Sequence, residues 1–184
     1  MIPTEPIGSI PRTSRLIATL YAFTAGQLGQ AELERAGDDA VRETIAELEA
    51  TGSPVVTDGE QTKPSFATYP VHGLPNLAPG GVTIPFADGH TRQLPRLSAG
   101  PFRYRTYAAT YTEAAKRYTQ RPLKQAVISS SALSLLYPSD GLPGYPREAF
   151  LEDLVHEAET DIRKALDAGA STVQIDFTEG RLAV

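Results

Sequence analysis

Acidic side chains follow two strand-like segments of this chain, at the point where each segment ends. Asp58 and Glu60 come directly after the β-branched run "PVVT". Asp176 follows "TVQI", and Glu179 lies three residues further on. Carboxylates form charge-assisted hydrogen bonds with ammonium groups. Two such segment ends therefore predict a site for the amino group of an amino-acid-like ligand.

Two further segment ends carry hydrogen-bonding groups. "PIGSIP" places Ile7, Gly8 and Ser9 at one end, where glycine permits close approach of a ligand and Ser9 offers N–H and hydroxyl donors. The run "QAVI" is followed by the serines at 129–131, which also suit a ligand. Any one acid after a strand is equally well explained as a helix cap or a solvated turn. Several ends together favour a binding site.

The elements that must position these groups alternate along the chain. Strand-like segments at 6–11, 53–60, 123–130 and 171–178 are separated by helical patterns at 12–26, 30–52, 108–118 and 147–169. Such alternation predicts an α/β fold with a parallel sheet and βαβ units, in which ligands bind at the carboxyl ends of the strands. A doubly wound sheet and one half of a TIM (β/α)8 barrel, strands 1–4, both fit this pattern.

The helical patterns also predict which side chains are buried. On the helix at 30–52 the apolar positions are Leu33, Ala40, Val41, Ile45 and Leu48. On the helix at 147–169 they are Leu151, Leu154, Val155, Ala158, Ile162, Ala165 and Leu166, and His156 is predicted to be exposed. A long irregular stretch at about 61–107, with a small hairpin at 88–97, is predicted to be a functional insertion in a single domain spanning 1–184.

Composition excludes several classes of function. A net charge of −5 makes nucleic acid an improbable partner, no apolar run is long enough to cross a membrane, and no dinucleotide or P-loop motif follows a strand. The chain has no cysteine, which fits a cytoplasmic protein, and its three histidines match no metal-ligand spacing. The basic, tyrosine-rich segment 92–124 is interpreted as a solvated surface, with an anion or RNA site as the alternative.

Four motifs in this order, "PIGSIPR", "VVTDGEQTKPSF", "LKQAVISSSAL" and "AGASTVQIDFTEGRL", resemble the cobalamin-independent methionine synthase family, and most closely its short, single-barrel members. The resemblance implies a (β/α)8 barrel that transfers a methyl group from a methyltetrahydrofolate to the thiol of homocysteine. It also implies that a zinc ion activates this thiol. It implies that Ile7, Gly8 and Ser9 hold the homocysteine carboxylate. Glu60 and Asp176 would hold its ammonium group.

Two departures from the family pattern bear on these roles. The usual Q-I-D-E-P-A reads "QIDFTE" here, so Asp176 is retained while the next acid is displaced to Glu179. The tryptophan that often stands beside the folate is absent, since the chain has no tryptophan.

The family's zinc ligands come from the second half of the barrel. We therefore expect this chain to be the N-terminal half, with no catalytic residue, no metal ligand and no cofactor of its own, inactive alone and associating with a C-terminal half or with itself. Two alternatives remain: another zinc-dependent thiol alkyltransferase of the same superfamily, and a non-catalytic binding or scaffold domain.

Overall fold

The computed structural model describes residues 4–85, 89 and 91–177, and within them the fold is α/β with parallel strand pairing. Five α-helices and six short strands are present in these ranges. They are α1 (Ser14–Thr24), α2 (Gln30–Ala50), β1 (Leu77–Ala78), β2 (Thr83–Pro85), β3 (Thr91–Gln93), β4 (Arg96–Leu97), α3 (Ala109–Lys116), β5 (Lys124–Ile128), α4 (Ser130–Leu133), α5 (Arg147–Asp167) and β6 (Thr172–Asp176). No helix in the described ranges is long and apolar enough to cross a membrane.

The parallel pairing joins three segments side by side. β5 pairs with β6 in parallel, from Lys124 opposite Thr172 to Ile128 opposite Asp176. On the other side of β5, Val56 forms a parallel bridge with Leu123. Every residue of β5 is buried, as expected for a central parallel strand that is covered on both faces. The segment ends that carry polar groups therefore meet at one edge.

Two of the four predicted strands are not regular strands, which corrects the sequence prediction. The segment at 6–11 contains no strand, and the segment at 53–60 contributes only the bridge at Val56. Pro6, Pro11 and Pro54 lack the N–H that a ladder needs, which is a physical reason for the short pairing. A single backbone bond from the Ile10 N–H to the Gly59 carbonyl, 3.2 Å, still joins the two segments.

The predicted helices are all present, and the buried face of α2 is confirmed. Ala40, Val41 and Ile45 are at most 2% exposed, and Leu33 and Leu48 pack partly buried against the same clusters. α1 begins at a side-chain cap, in which the Thr13 hydroxyl accepts a hydrogen bond from the Leu16 N–H at 3.2 Å.

The predicted apolar face of α5 is wrong for three of its residues. Leu151, Val155 and Leu166 are exposed, while the buried positions are Phe150, Leu154, Glu157, Asp161 and Ala165. Glu157 and Asp161 are buried because tyrosine hydroxyls and backbone N–H groups that precede α3 donate hydrogen bonds to them. His156 is exposed, as the sequence predicts.

The stretch at about 61–107 has more order than predicted. It contains a 3-10 turn at Tyr69–Val71 and two antiparallel pairs, β1 with β4 and β2 with β3. The hairpin predicted at 88–97 is therefore wrong in its pairing: β3 pairs with β2 and β4 pairs with β1, and β3 and β4 do not pair with each other. Buried side chains of this stretch, including Tyr69, Leu97 and Phe102, join Phe150 and Leu154 of α5 in the largest apolar cluster.

Candidate active site

The turn Asp58-Gly59-Glu60 occupies a backbone conformation that is uncommon for glutamate. Gly59 has φ +65° and Glu60 has φ 53°, so two successive residues lie in the left-handed region. Local hydrogen bonds hold the turn: the Thr57 hydroxyl accepts from the Gly59 N–H at 3.1 Å, and Asp58 Oδ1 accepts from the Glu60 N–H at 3.0 Å. A non-glycine residue kept in this region by its surroundings is a feature of functional sites.

Gly59→Ala is expected to destabilise the fold by about 2–3 kcal/mol, because a Cβ there would lie 2.8 Å from Thr44 Cγ2 and 2.9 Å from Ile10 Cγ1 on a strained backbone. Urea unfolding of the variant measures the change. Gly52→Ala is the matched control, since Gly52 has φ +80° and nothing within 4 Å of the added atom. The control should lose only about 1 kcal/mol, and equal losses in both variants would contradict the crowding argument.

Gly8 lies beside Glu60. A Cβ added at Gly8 would be 3.4 Å from Glu60 Oε1 and 3.0 Å from the Ala126 Cβ of β5, and the Gly8 carbonyl accepts a 2.9 Å hydrogen bond from the Thr57 hydroxyl. Ile7 is 72% exposed and Ser9 is also exposed, on either side of this close approach. The structure therefore brings the glycine end of the first segment to the acidic turn.

Glu60 and Asp176 interact electrostatically across the edge. Burial is the largest cause that raises the pKa of Glu60 above its usual value, the charges of Asp58 and Asp176 raise it further, and Lys63 opposes them. Asp176 is half-buried, with its Oδ1 accepting from the Gln174 amide at 3.0 Å and its carbonyl accepting from the Ser129 N–H at 3.0 Å. The acids of two distant segments thus face one region.

Sequence reasoning missed Lys63, which is one of the largest fully buried side chains. Its ammonium donates to the Ala126 carbonyl at 2.7 Å and contacts Glu60 Oε1 at 3.3 Å. The only available signal was its place three residues after Glu60, and a lysine in a polar loop is ordinarily solvated.

Two buried acceptors at the turn have no donor within the described part of the chain. They are Asp58 Oδ2 and Gln61 Oε1. Buried acceptors of this kind are costly unless a bound group supplies the missing hydrogen bond. The charges of Asp58 and Asp176 act on Glu60, and Lys63 is the positive group that opposes them, so the region can accept hydrogen bonds and positive charge from a small cationic ligand.

The other predicted site features have different outcomes. The Ser129 hydroxyl caps α4 by accepting from the Ala132 N–H at 3.2 Å, which is a structural role. Glu179 and His90 lie outside the described residues.

Six basic side chains of the segment 92–124 contact other parts of the chain. The contacts are Arg92 on the Phe66 ring, Arg103 with Asp153, Arg105 with the Gly73 carbonyl, Arg117 with Asp38, Arg121 with the Ser53 carbonyl and Lys124 with Glu5.

Curated relatives cover nearly the whole chain. A 5-methyltetrahydropteroyltriglutamate–homocysteine methyltransferase of Streptomyces griseus is 25% identical over 183 residues, which is 96% of this chain and 23% of the relative. A methionine synthase of Sulfolobus acidocaldarius is 35% identical over 69 residues, which is 38% of this chain and 20% of the relative. No family model matches the chain.

Solved structures show the same fold. A B12-independent methionine synthase from Shewanella sp. W3-18-1, in complex with selenomethionine, superimposes with a TM-score of 0.73 at 19% identity, covering 95% of this chain and 51% of that one. A putative vitamin-B12 independent methionine synthase from Listeria monocytogenes gives 0.74 at 19% identity, covering 95% and 52%. The chain thus spans about half the length of these solved chains and about a quarter or less of the curated relatives.

Proposed function

We propose, from the premise that this chain is a relative of the cobalamin-independent methionine synthases, that it forms the first half of a methionine-synthase-like (β/α)8 barrel and holds the amino-acid substrate. Residues 1–184 would then be one unit with an insertion at about 61–107, in which the irregular segments 6–11 and 53–60 take the places of strands 1 and 2 of the barrel and β5 and β6 those of strands 3 and 4. The observation that supports this proposal most directly is the meeting of Gly8, Glu60 and Asp176 at one edge.

In the proposed reaction, a methyl group passes from the nitrogen of a methyl-folate to the sulfur of homocysteine or a similar thiol amino acid. The N–C bond breaks as the S–C bond forms, and the proton lost by the thiol ends on the folate nitrogen. Glu60 and Asp176 bind the substrate ammonium, and the backbone and hydroxyl donors of Ile7, Gly8 and Ser9 bind its carboxylate. Binding the ammonium and the carboxylate holds the α-carbon of the amino acid in place. The side-chain sulfur is left unbound by these residues, which thereby orient the thiol for attack. The selenomethionine bound by the Shewanella relative has the same ammonium and carboxylate groups.

Zinc is expected in full-length members of the family, where it would activate the thiol. This chain contains no cysteine, and no three His, Asp or Glu side chains within 4–85, 89 and 91–177 cluster in a way that could hold a metal ion. The residues present therefore do not fit the zinc site, and the roles proposed for them are confined to binding and orienting the amino acid.

Isothermal titration calorimetry with L-homocysteine, L-methionine and a folate polyglutamate tests the proposal. We expect binding of the two amino acids, because the acidic edge recognises groups that they share. No binding of any of the three by a folded chain would contradict the proposal and favour the non-catalytic scaffold. Binding of a thiol that lacks an amino acid end would favour another thiol alkyltransferase of the superfamily.

We also propose that the exposed apolar residues of α5 and β6 contact the second half of the barrel or another copy of the chain. Leu151, Val155 and Leu166 of α5 are exposed, as are Ile175 of β6 and Phe177 after it, which is 62% exposed. Among the described strands β6 pairs only with β5, so its outer edge has backbone groups available for another strand. An apolar face beside an open edge suits association.

Val155→Glu is expected to weaken that association, because it places a charge in the apolar face. Sedimentation velocity of the wild type and the variant measures the change. Val82→Glu is the matched control, since Val82 is also exposed but belongs to the irregular stretch. A wild-type chain that stays monomeric at the highest attainable concentration and binds no C-terminal half would contradict this proposal.

A further inference from the structure

Three contacts hold the buried side chain of Lys63 next to Glu60. Its side chain is 1% exposed. The ammonium donates to the Ala126 carbonyl at 2.7 Å, in the middle of β5, and lies 3.3 Å from Glu60 Oε1. It also lies 4.5 Å from the centre of the Tyr69 ring, whose face attracts a cation. A flexible lysine is thus held at one point, next to one oxygen of Glu60.

The charges around Glu60 are otherwise negative. Asp58 and Asp176 face it, and the ring of Tyr111 is close enough for Glu60 to raise the pKa of its hydroxyl. Lys63 is the cation among the groups that act on Glu60. On its other side Lys63 acts on Asp161 of α5, which accepts a hydrogen bond from Tyr69. Removing Lys63 would leave a buried carboxylate facing two others with no compensating charge.

We propose that Lys63 is a positioning residue, which places a positive charge at the Glu60 carboxylate in the empty site and fixes that carboxylate to receive the substrate ammonium. This inference rests on the proposed function of Glu60. The contact with Lys63 is made by Oε1 of Glu60, which is also the oxygen beside Gly8. Anchoring Lys63 to the central strand keeps that oxygen in place before the ligand arrives, so binding does not have to order the side chain.

Titration of Glu60 in the free protein gives a test that needs no ligand. We expect Lys63→Met to raise the midpoint at which the Glu60 carboxyl titrates, followed by carbon NMR of labelled glutamate and assigned with Glu60→Gln. Lys63→Gln is the second variant, since it can still donate to the Ala126 carbonyl but carries no charge. Lys116→Met, on α3, is the control and should leave the midpoint unchanged. An unchanged midpoint in both Lys63 variants would overturn the proposal.

The affinity for L-methionine as a function of pH gives the second readout. Below its pKa the Glu60 carboxyl of the variants is protonated and cannot pair with an ammonium, and raising the pH restores the carboxylate. We expect Lys63→Gln to weaken binding more at pH 6 than at pH 8, because removing the lysine charge raises the pKa of the Glu60 carboxyl. A loss that is the same at both pH values would assign Lys63 a purely structural role and overturn the proposal. If the wild type binds no methionine, the proposed function fails, while the NMR midpoint still decides the effect of Lys63 on Glu60.

Discussion

Glu60→Gln is expected to weaken binding of L-methionine by about 2–5 kcal/mol, on the order of 30-fold to several thousandfold, since it removes a buried charged partner of the ligand ammonium. Glu60 is 5% exposed and lies at the edge shared with Gly8 and Asp176. Glutamine keeps the volume of the side chain but replaces one oxygen by an NH2 group, which repels an ammonium. Calorimetric titration with L-methionine measures the loss.

Two comparisons make this result specific. Asp176→Asn should weaken binding in the same direction but by less, since Asp176 is only half-buried and water partly replaces its contribution. Glu113→Gln, at an exposed position of α3, should leave the affinity unchanged. Urea unfolding of each variant establishes that it is folded. A loss below about 0.5 kcal/mol for Glu60→Gln would return the acidic turn to a purely structural role.

Asp161→Ala is expected to lower the free energy of unfolding by about 3 kcal/mol, the largest loss of stability that we predict. Asp161 is 1% exposed and accepts hydrogen bonds from the Tyr69 hydroxyl and, at 2.6 Å, from the Ala108 N–H. Alanine would leave both donors buried without an acceptor and open a cavity. Burial raises the pKa of Asp161, with its two donors opposing, so the cost of burying the carboxylate already offsets part of the gain.

The matched control for Asp161→Ala is Glu152→Ala on the same helix. Glu152 is exposed, so its replacement should change the unfolding free energy by no more than about 0.5 kcal/mol. Both variants are compared by urea unfolding at one pH. A loss under 1 kcal/mol for Asp161→Ala would mean that the irregular stretch is held to α5 by apolar packing alone. Because Tyr69 also contacts Lys63, a large loss should be accompanied by weaker methionine binding.

Helix positions and the family resemblance were within reach of sequence reasoning. The 3.6-residue spacing of Ala40, Val41 and Ile45 follows from burial of one face of α2, which is a local property. The resemblance predicted from the four motifs is confirmed, since the homocysteine methyltransferase of Streptomyces griseus is similar to this chain over 96% of the chain's length. The predicted strands at 123–130 and 171–178 are also confirmed in their paired core.

The buried acids of α5 lay beyond that reasoning. A helical pattern places Glu157 and Asp161 among solvated positions, since an acid is rarely buried without partners. Their partners include the hydroxyls of Tyr69 and Tyr107 and the backbone N–H of Tyr104, which lie 50 or more residues away in the chain. Only folding of the irregular stretch onto α5 brings them together, and it turns Leu151 and Val155 outward instead.

Local periodicity and short motifs are enough to predict the alternating α/β pattern, the family resemblance and the acids at the strand ends. Which charged groups are neighbours follows from the folded arrangement. It placed Gly8 beside Glu60, set Asp176 close enough to act on its pKa, and buried Lys63 against β5. The physical reason is that pKa values and hydrogen bonds depend on distances and burial across segments that are far apart in the chain.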